Sequence, residues 1–180
     1  MKVTAIALPG VLQIEPTLLG DKRGFFVESF NLRDFNQATG LDVAFVQDNH
    51  SRSAQGVLRG LHYQVSPHAQ GKLVRVLRGA IFDVVVDIRP SSPAFGQWMG
   101  LEMSEDDGRQ LWVPPGFAHG FLTLSDHADV FYKTTAYYEA SCERRLAWDD
   151  ATVGVRWPLK GPPVLSAKDA AGFPWKDIGT

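Results

Sequence analysis

Apolar and polar residues alternate most regularly between residues 73 and 89. There Phe82, Val84, Val86 and Ile88 share one face, and Asp83, Asp87 and Arg89 fall on the other. A period of two predicts a strand, and the charged side chains predict that its second face meets water. Shorter β-rich runs stand at residues 44–47, 111–113, 120–124 and 130–136. Turn signals separate them: Arg78-Gly79, Pro90-Ser91-Ser92-Pro93, Asp106-Asp107-Gly108 and Pro114-Pro115-Gly116. Many short strands with this punctuation predict a β-sandwich or barrel. One helix is expected after Asn31, which can cap it, with Asp34 at its third position and Gly40 ending it. Leu32 and Phe35 would then point inward. A second helical turn is expected within residues 166–172. No long helices alternate with the strands, which argues against a parallel α/β fold. The pattern is mainly antiparallel β.

Length and composition narrow the class. A chain of 180 residues suits one domain, taken here as 1–180, and its scaling area is about 8,700 Å² folded. Hydrophobic residues at 44% and charged residues at 21% exclude intrinsic disorder. A net charge of -2 gives no basic excess, so nucleic acid is not an expected partner. A small anion needs only a local Arg/Lys cluster and stays open. Cys142 is the lone cysteine, so neither an internal disulfide nor a cysteine-rich zinc site forms, which favours a reducing compartment. The apolar start is broken by Pro9, Gly10 and Pro16, too short for a signal peptide or a membrane span. A soluble, cytoplasmic protein is expected.

Two of the five histidines stand in settings that aim them. His62 lies within an apparent strand, Arg59-Gly60-Leu61-His62-Tyr63-Gln64, and His119 follows the Pro114-Pro115-Gly116 turn. A rigid turn that delivers a histidine to the start of a strand resembles the Pro-x-Gly-x-x-His motif of the cupin superfamily, which implies a jelly-roll barrel. Metal-binding cupins carry a His-x-His pair in their other motif. Here that stretch reads His62-Tyr63-Gln64, and with one histidine per motif the three or four ligands a transition metal needs are not supplied.

Longer blocks narrow the resemblance. Residues 21–28 (DKRGFFVE), 45–51 (FVQDNHS), 56–64 (GVLRGLHYQ), 70–75 (QGKLVR), 132–135 (YKTT) and 165–169 (LSAKD) run in the order found in the dTDP-4-dehydrorhamnose 3,5-epimerases, which the chain resembles over nearly its whole length. That resemblance implies a cofactor-independent isomerase acting on a dTDP-sugar, and a homodimer. It makes His62 the proton acceptor, Tyr132 the donor on the opposite face, Asp169 the partner of His62, and Lys72 the group that stabilises an enolate. It places Arg23, Arg59, Lys72 and Lys168 around the pyrophosphate and sugar, with Phe26, Glu28, Gln47, Asn49, His119 and Glu143 among the remaining contacts. Tyr138 would stack on the base.

The residue types suit this chemistry independently. Inverting a carbon beside a ketone needs a base on one face, an acid on the other, and donors at the enolate oxygen between the two events. A histidine is largely free to accept a proton at neutral pH, a tyrosine holds one in reserve, and a lysine brings positive charge. Strict alternation puts Arg59 and His62 on opposite strand faces, so a bulge or strand end is expected between them. Three other readings stay open: a relative that inverts only C3 or only C5, a metal-dependent cupin oxygenase or isomerase, and a non-catalytic sugar-nucleotide binding module.

Overall fold

The computed structural model describes residues 1–178. Thirteen strands follow one another: β1 (Lys2–Ala5), β2 (Leu12–Glu15), β3 (Leu18–Asp21), β4 (Gly24–Val27), β5 (Gln47–Ala54), β6 (Leu58–Gln64) and β7 (Lys72–Arg78). They continue as β8 (Ala80–Asp87), β9 (Trp98–Ser104), β10 (Gln110–Val113), β11 (Phe117–Thr123), β12 (His127–Thr134) and β13 (Glu143–Arg145). Helices α1 (Leu32–Thr39) and α2 (Ala167–Ala170) and a 3-10 turn at Trp175–Asp177 complete the elements of the described residues. The strands form a six-stranded sheet, β1-β2-β10-β7-β12-β5, a five-stranded sheet, β13-β6-β11-β8-β9, and a separate β3-β4 hairpin. Every ladder between named strands is antiparallel. The expected jelly roll is present as two facing sheets with open edges rather than a closed cylinder.

Three apolar layers hold it together. Between the sheets, Val74 and Val76 of β7, Leu111 and Val113 of β10 and Val130 of β12 meet Ile81 and Val85 of β8 and Phe117 and Phe121 of β11. Outside the six-stranded sheet, Phe35 of α1 packs on Trp112, with ring centroids 5.8 Å apart, beside Phe30 and Phe45. Outside the five-stranded sheet, Val84, Val86 and Ile88 pack against Leu61, Ala118 and Leu146, under Trp157 and Trp175. Among the described residues, no helix is long and apolar enough to cross a membrane.

Several expectations change in detail. The wet face predicted for residues 73–89 is dry: Asp83 and Asp87 are both fully buried. Those carboxylates are paired, Asp83 with His119 and Asp87 with Arg89 and Ser92, which is what makes charge tolerable inside. The strand expected at 44–47 begins only at Gln47, because Phe45 turns into the aromatic layer over Trp112. Helix α1 is capped as expected, Asn31 accepting from the Asp34 N–H and Gly40 closing it at φ 71°. Phe35 is buried, but Leu32 is 41% exposed, since only the middle of this eight-residue helix meets the sheet. Ser166 caps α2 by accepting from the Asp169 N–H.

Candidate active site

The cavity lies between the sheets, where β5, β7 and β12 face β6 and β11. The expected irregularity in β6 shapes it. Register advances three residues along β6, from Arg59 to His62, against two along β11, from Phe121 to His119. This extra residue is a bulge, and it turns Arg59 and His62 to the same face. Glycine makes it possible. Gly60 sits at φ 137°, and a Cβ there would lie 2.6 Å from Gly120 Cα.

Two adjoining cavities, of about 150 and 130 Å³, share His62, Lys72 and Tyr132 in their walls. Gln47, Asn49, Tyr138 and Glu143 line the first; Ser51, Arg59, His119 and Phe121 line the second. His62 belongs to the five-stranded sheet, while Tyr132 and Lys72 belong to the six-stranded sheet. A ligand between them therefore meets imidazole on one side and phenol on the other.

His62 is held from behind. Its Nε2 lies 2.6 Å from Asp169 Oδ1, whose second oxygen accepts from Ser166 Oγ at 2.6 Å. The Gly60 N–H also donates to Oδ1, at 3.2 Å. A carboxylate only accepts, so Nε2 carries the proton and Nδ1 is left as the basic nitrogen. Burial pushes the Asp169 carboxyl up, but hydrogen bonds from His62 and Ser166, with smaller help from the His62 charge and Gly60, hold it at about 2. The α2 cap thus sets the far end of the dyad: Ser166 both starts the helix and fixes its carboxylate.

Lys72 donates to the His62 carbonyl at 3.2 Å and is 9% exposed. Burial pulls its ammonium down to about 8, against the opposing charges of Asp83 and Glu143. Burial also raises the Tyr132 phenol, so it keeps its proton at neutral pH. On the neighbouring strand His119 Nε2 lies 2.9 Å from both oxygens of Asp83. Arg59 is braced by Ser53 Oγ at 2.9 Å.

At the outer end Gln47 donates to Asn49 Oδ1 and accepts from the Tyr138 N–H, both at 2.9 Å. Glu143 Oε2 accepts from Tyr138 Oη at 3.3 Å and from Lys168 Nζ at 3.4 Å. Gln64 is buried and committed to the same loop, donating to the His68 and Tyr137 carbonyls and accepting from the Glu139 N–H. Nine expected residues thus line the cavities, and Asp169 and Lys168 touch them through His62 and Glu143. Arg23, Phe26 and Glu28 do not line them. Arg23 pairs with Asp21 on the β3-β4 hairpin, Phe26 is 68% exposed there, and Glu28 follows β4 on the surface.

Among the residues at the cavity that were not foreseen, Ser51 and Asp83 bear most on its chemistry. Ser51 lines it with a buried hydroxyl that has no partner in the described structure, and Asp83 stands behind His119. Ser51 could have been found, because it continues the Gln47-Asn49 alternation along β5. Asp83 carried no such signal, since a buried carboxylate and a wet one read alike.

A two-sheet jelly roll that sets a carboxylate-held histidine across a cavity from a tyrosine and a lysine has the parts of an acid–base enzyme site on a cupin-like scaffold. The sequence pattern of the dTDP-4-dehydrorhamnose 3,5-epimerases matches residues 5–177, and the chain belongs to that family. The Shigella flexneri protein of that name is 53% identical over 177 residues, covering 98% of this chain and 97% of its own length. The Salmonella typhimurium protein is 54% identical over 171 residues, covering 95% and 93%. The crystal structure of dTDP-6-deoxy-D-glucose-3,5-epimerase from Legionella pneumophila, in complex with dTDP-4-keto-L-rhamnose, matches with a TM-score of 0.95 at 48% identity, covering 98% of this chain and 94% of that one.

Proposed function

We propose that the chain, acting as one domain over residues 1–180, converts dTDP-4-dehydro-6-deoxy-D-glucose to dTDP-4-dehydro-L-rhamnose by inverting C3 and C5. The observation that carries the chemistry is the pairing of His62, backed by Asp169, with Tyr132 from the opposite sheet across one cavity. In this reading His62 Nδ1 removes the proton beside the C4 ketone, and Asp169 stabilises the imidazolium that forms. Lys72 meets the enolate oxygen with its ammonium. Tyr132 returns a proton to the opposite face. Arg59 and Lys168 suit the diphosphate, and Tyr138, half exposed at the rim, suits stacking on the base. Relatives at about half identity carry the two-centre name, which favours double over single inversion.

The test is incubation of that substrate in D₂O, with NMR of the sugar ring. Deuterium at both C3 and C5, with inversion, is expected. Label at one carbon alone would make this a single-centre enzyme, and no exchange would end the epimerase reading.

We further propose a homodimer in which the β3-β4 hairpin serves the partner's cavity. Phe25 and Phe26 are 66% and 68% exposed and Leu19 is 61% exposed, an apolar hairpin left in water by a single chain. The chain exposes 9452 Å², above the roughly 8,700 Å² its size predicts. Mixing Arg23→Ala and His62→Asn chains tests this: activity returns only if Arg23 acts across the interface. The lone, buried Cys142 suits a reducing interior, and we place the enzyme in the cytoplasm.

A further inference from the structure

Asp83 lies on the inner face of β8, fully buried, behind His119 of the cavity wall. Both of its oxygens meet His119 Nε2 at 2.9 Å. That contact uses the Nε2 proton, so only Nδ1 of His119 remains for anything in the cavity. His119 and His62 are directly paired across β11 and β6. The five-stranded sheet thus carries two carboxylate–imidazole pairs side by side, and Asp169 anchors one as Asp83 anchors the other.

Asp83 also faces the other sheet, since Ile81 and Val85, its neighbours on the inner face of β8, share the inter-sheet core with Val74 and Val76 of β7. Lys72 starts β7 in the other sheet and shares a cavity wall with His62, His119, Arg59 and Tyr132. The anions that favour its charged form are Asp83 first and Glu143 second. Glu143 is already shared by Tyr138, Arg145 and Lys168, so Asp83 is the less divided counter-charge.

We propose that Asp83 is a positioning residue of the epimerisation: its carboxylate fixes the His119 ring and is the counter-charge of the Lys72 ammonium. This rests on the reading of the cavity as the epimerase site. The consequence is a division of labour between the two buried aspartates, Asp169 serving the base and Asp83 serving the electrophiles. The working form of Lys72 is the ammonium, so activity must fall as pH rises through its value of about 8.

Asp83→Asn keeps the volume and an acceptor for His119 but removes the charge. Losing an opposite charge should move the Lys72 titration at least about one pH unit downward. Two readouts are taken on wild type and variant: ¹³Cε-lysine NMR of Lys72, which needs no turnover, and kcat against pH from 6 to 9.5. The expected result is a lower Lys72 titration, a descending kcat limb displaced to match, and recovery toward the wild-type rate near pH 6. An unmoved titration, or a uniform loss at every pH, overturns the proposal. Should Asp83→Asn not fold, Asp83→Glu decides instead: it retains the charge, so it must keep the wild-type titration, and a displaced one overturns the proposal. Absence of turnover in wild type would sink the epimerase reading and leave the NMR comparison to judge Asp83.

Discussion

Replacing Asp169 by Asn separates the charge behind His62 from the hydrogen bond that orients it. Oδ1 accepts from both His62 Nε2 and the Gly60 N–H, while Oδ2 meets only the Ser166 hydroxyl among the hydrogen bonds described here. An amide can therefore keep its oxygen toward His62 and present its NH₂ to Ser166 Oγ, which can turn and accept. The ring stays in place and the charge is lost. The size of that loss follows from the Asp169 carboxyl, held at about 2 against an ordinary 3.8. At 1.36 kcal/mol per pH unit the difference is about 2 to 3 kcal/mol, or roughly 60-fold. Burial opposes the shift, so the attraction itself is larger, and a fall of about 10²-fold in kcat is expected. Asp169→Ala also removes the acceptor for Gly60 and frees the ring. It should cost more, toward the roughly 10⁴-fold seen when a triad loses its correct tautomer. The measurement is proton NMR in D₂O, following exchange and inversion in one tube. With Tyr132 intact, both must slow together. A rate for Asp169→Asn within threefold of wild type would refute the assignment of Asp169 as the carboxylate of the base.

His62→Asn should abolish both exchange and inversion, whereas Tyr132→Phe should keep exchange and lose inversion, because His62 can still return a proton to the original face; loss of exchange in both would make Tyr132 a base or a binding residue. Lys72→Met should lower kcat by about 10²–10³-fold, and an unchanged kcat with weaker binding would make it a phosphate ligand alone. Asp169 has a depressed pKa, so its stabilisation is present above about pH 4 and is lost as pH falls toward about 2; acid unfolding of Asp169→Asn should lack that segment of the wild-type curve, which urea titrations at pH 2 to 5 would show. Exhaustive chelation should leave full activity, since Gln64 stands where a second ligand would be needed; loss on chelation that one added metal restores would refute this.

The class of fold was legible because it depends on local chemistry. Period-two runs, proline and glycine turns and the Asn31–Gly40 caps act over a few residues, and they recur as strands, turns and α1. The bulge between Arg59 and His62 was legible too. Two side chains needed on one face at an odd spacing demand an extra residue, and Gly60 permits it. Most of the cavity could be named from motif order, since His62, Lys72, His119 and Tyr132 each sit in a distinctive run.

What the tertiary structure alone decided was which charges are inside. Alternation along β8 separates Asp83 from Val84 but cannot tell water from a second sheet, because both accept a carboxylate that is hydrogen-bonded. Only the packing of β8 between the two apolar layers shows that Asp83 is buried and that His119 meets it. The same holds for Asp169, 107 residues from its partner His62. It also holds for the hairpin carrying Arg23 and Phe26, whose strands hold apolar side chains of the kind found in cores and yet stand in the folded chain on the surface. Periodicity reports which residues share a face; what covers that face is a long-range fact, set by where the rest of the chain returns.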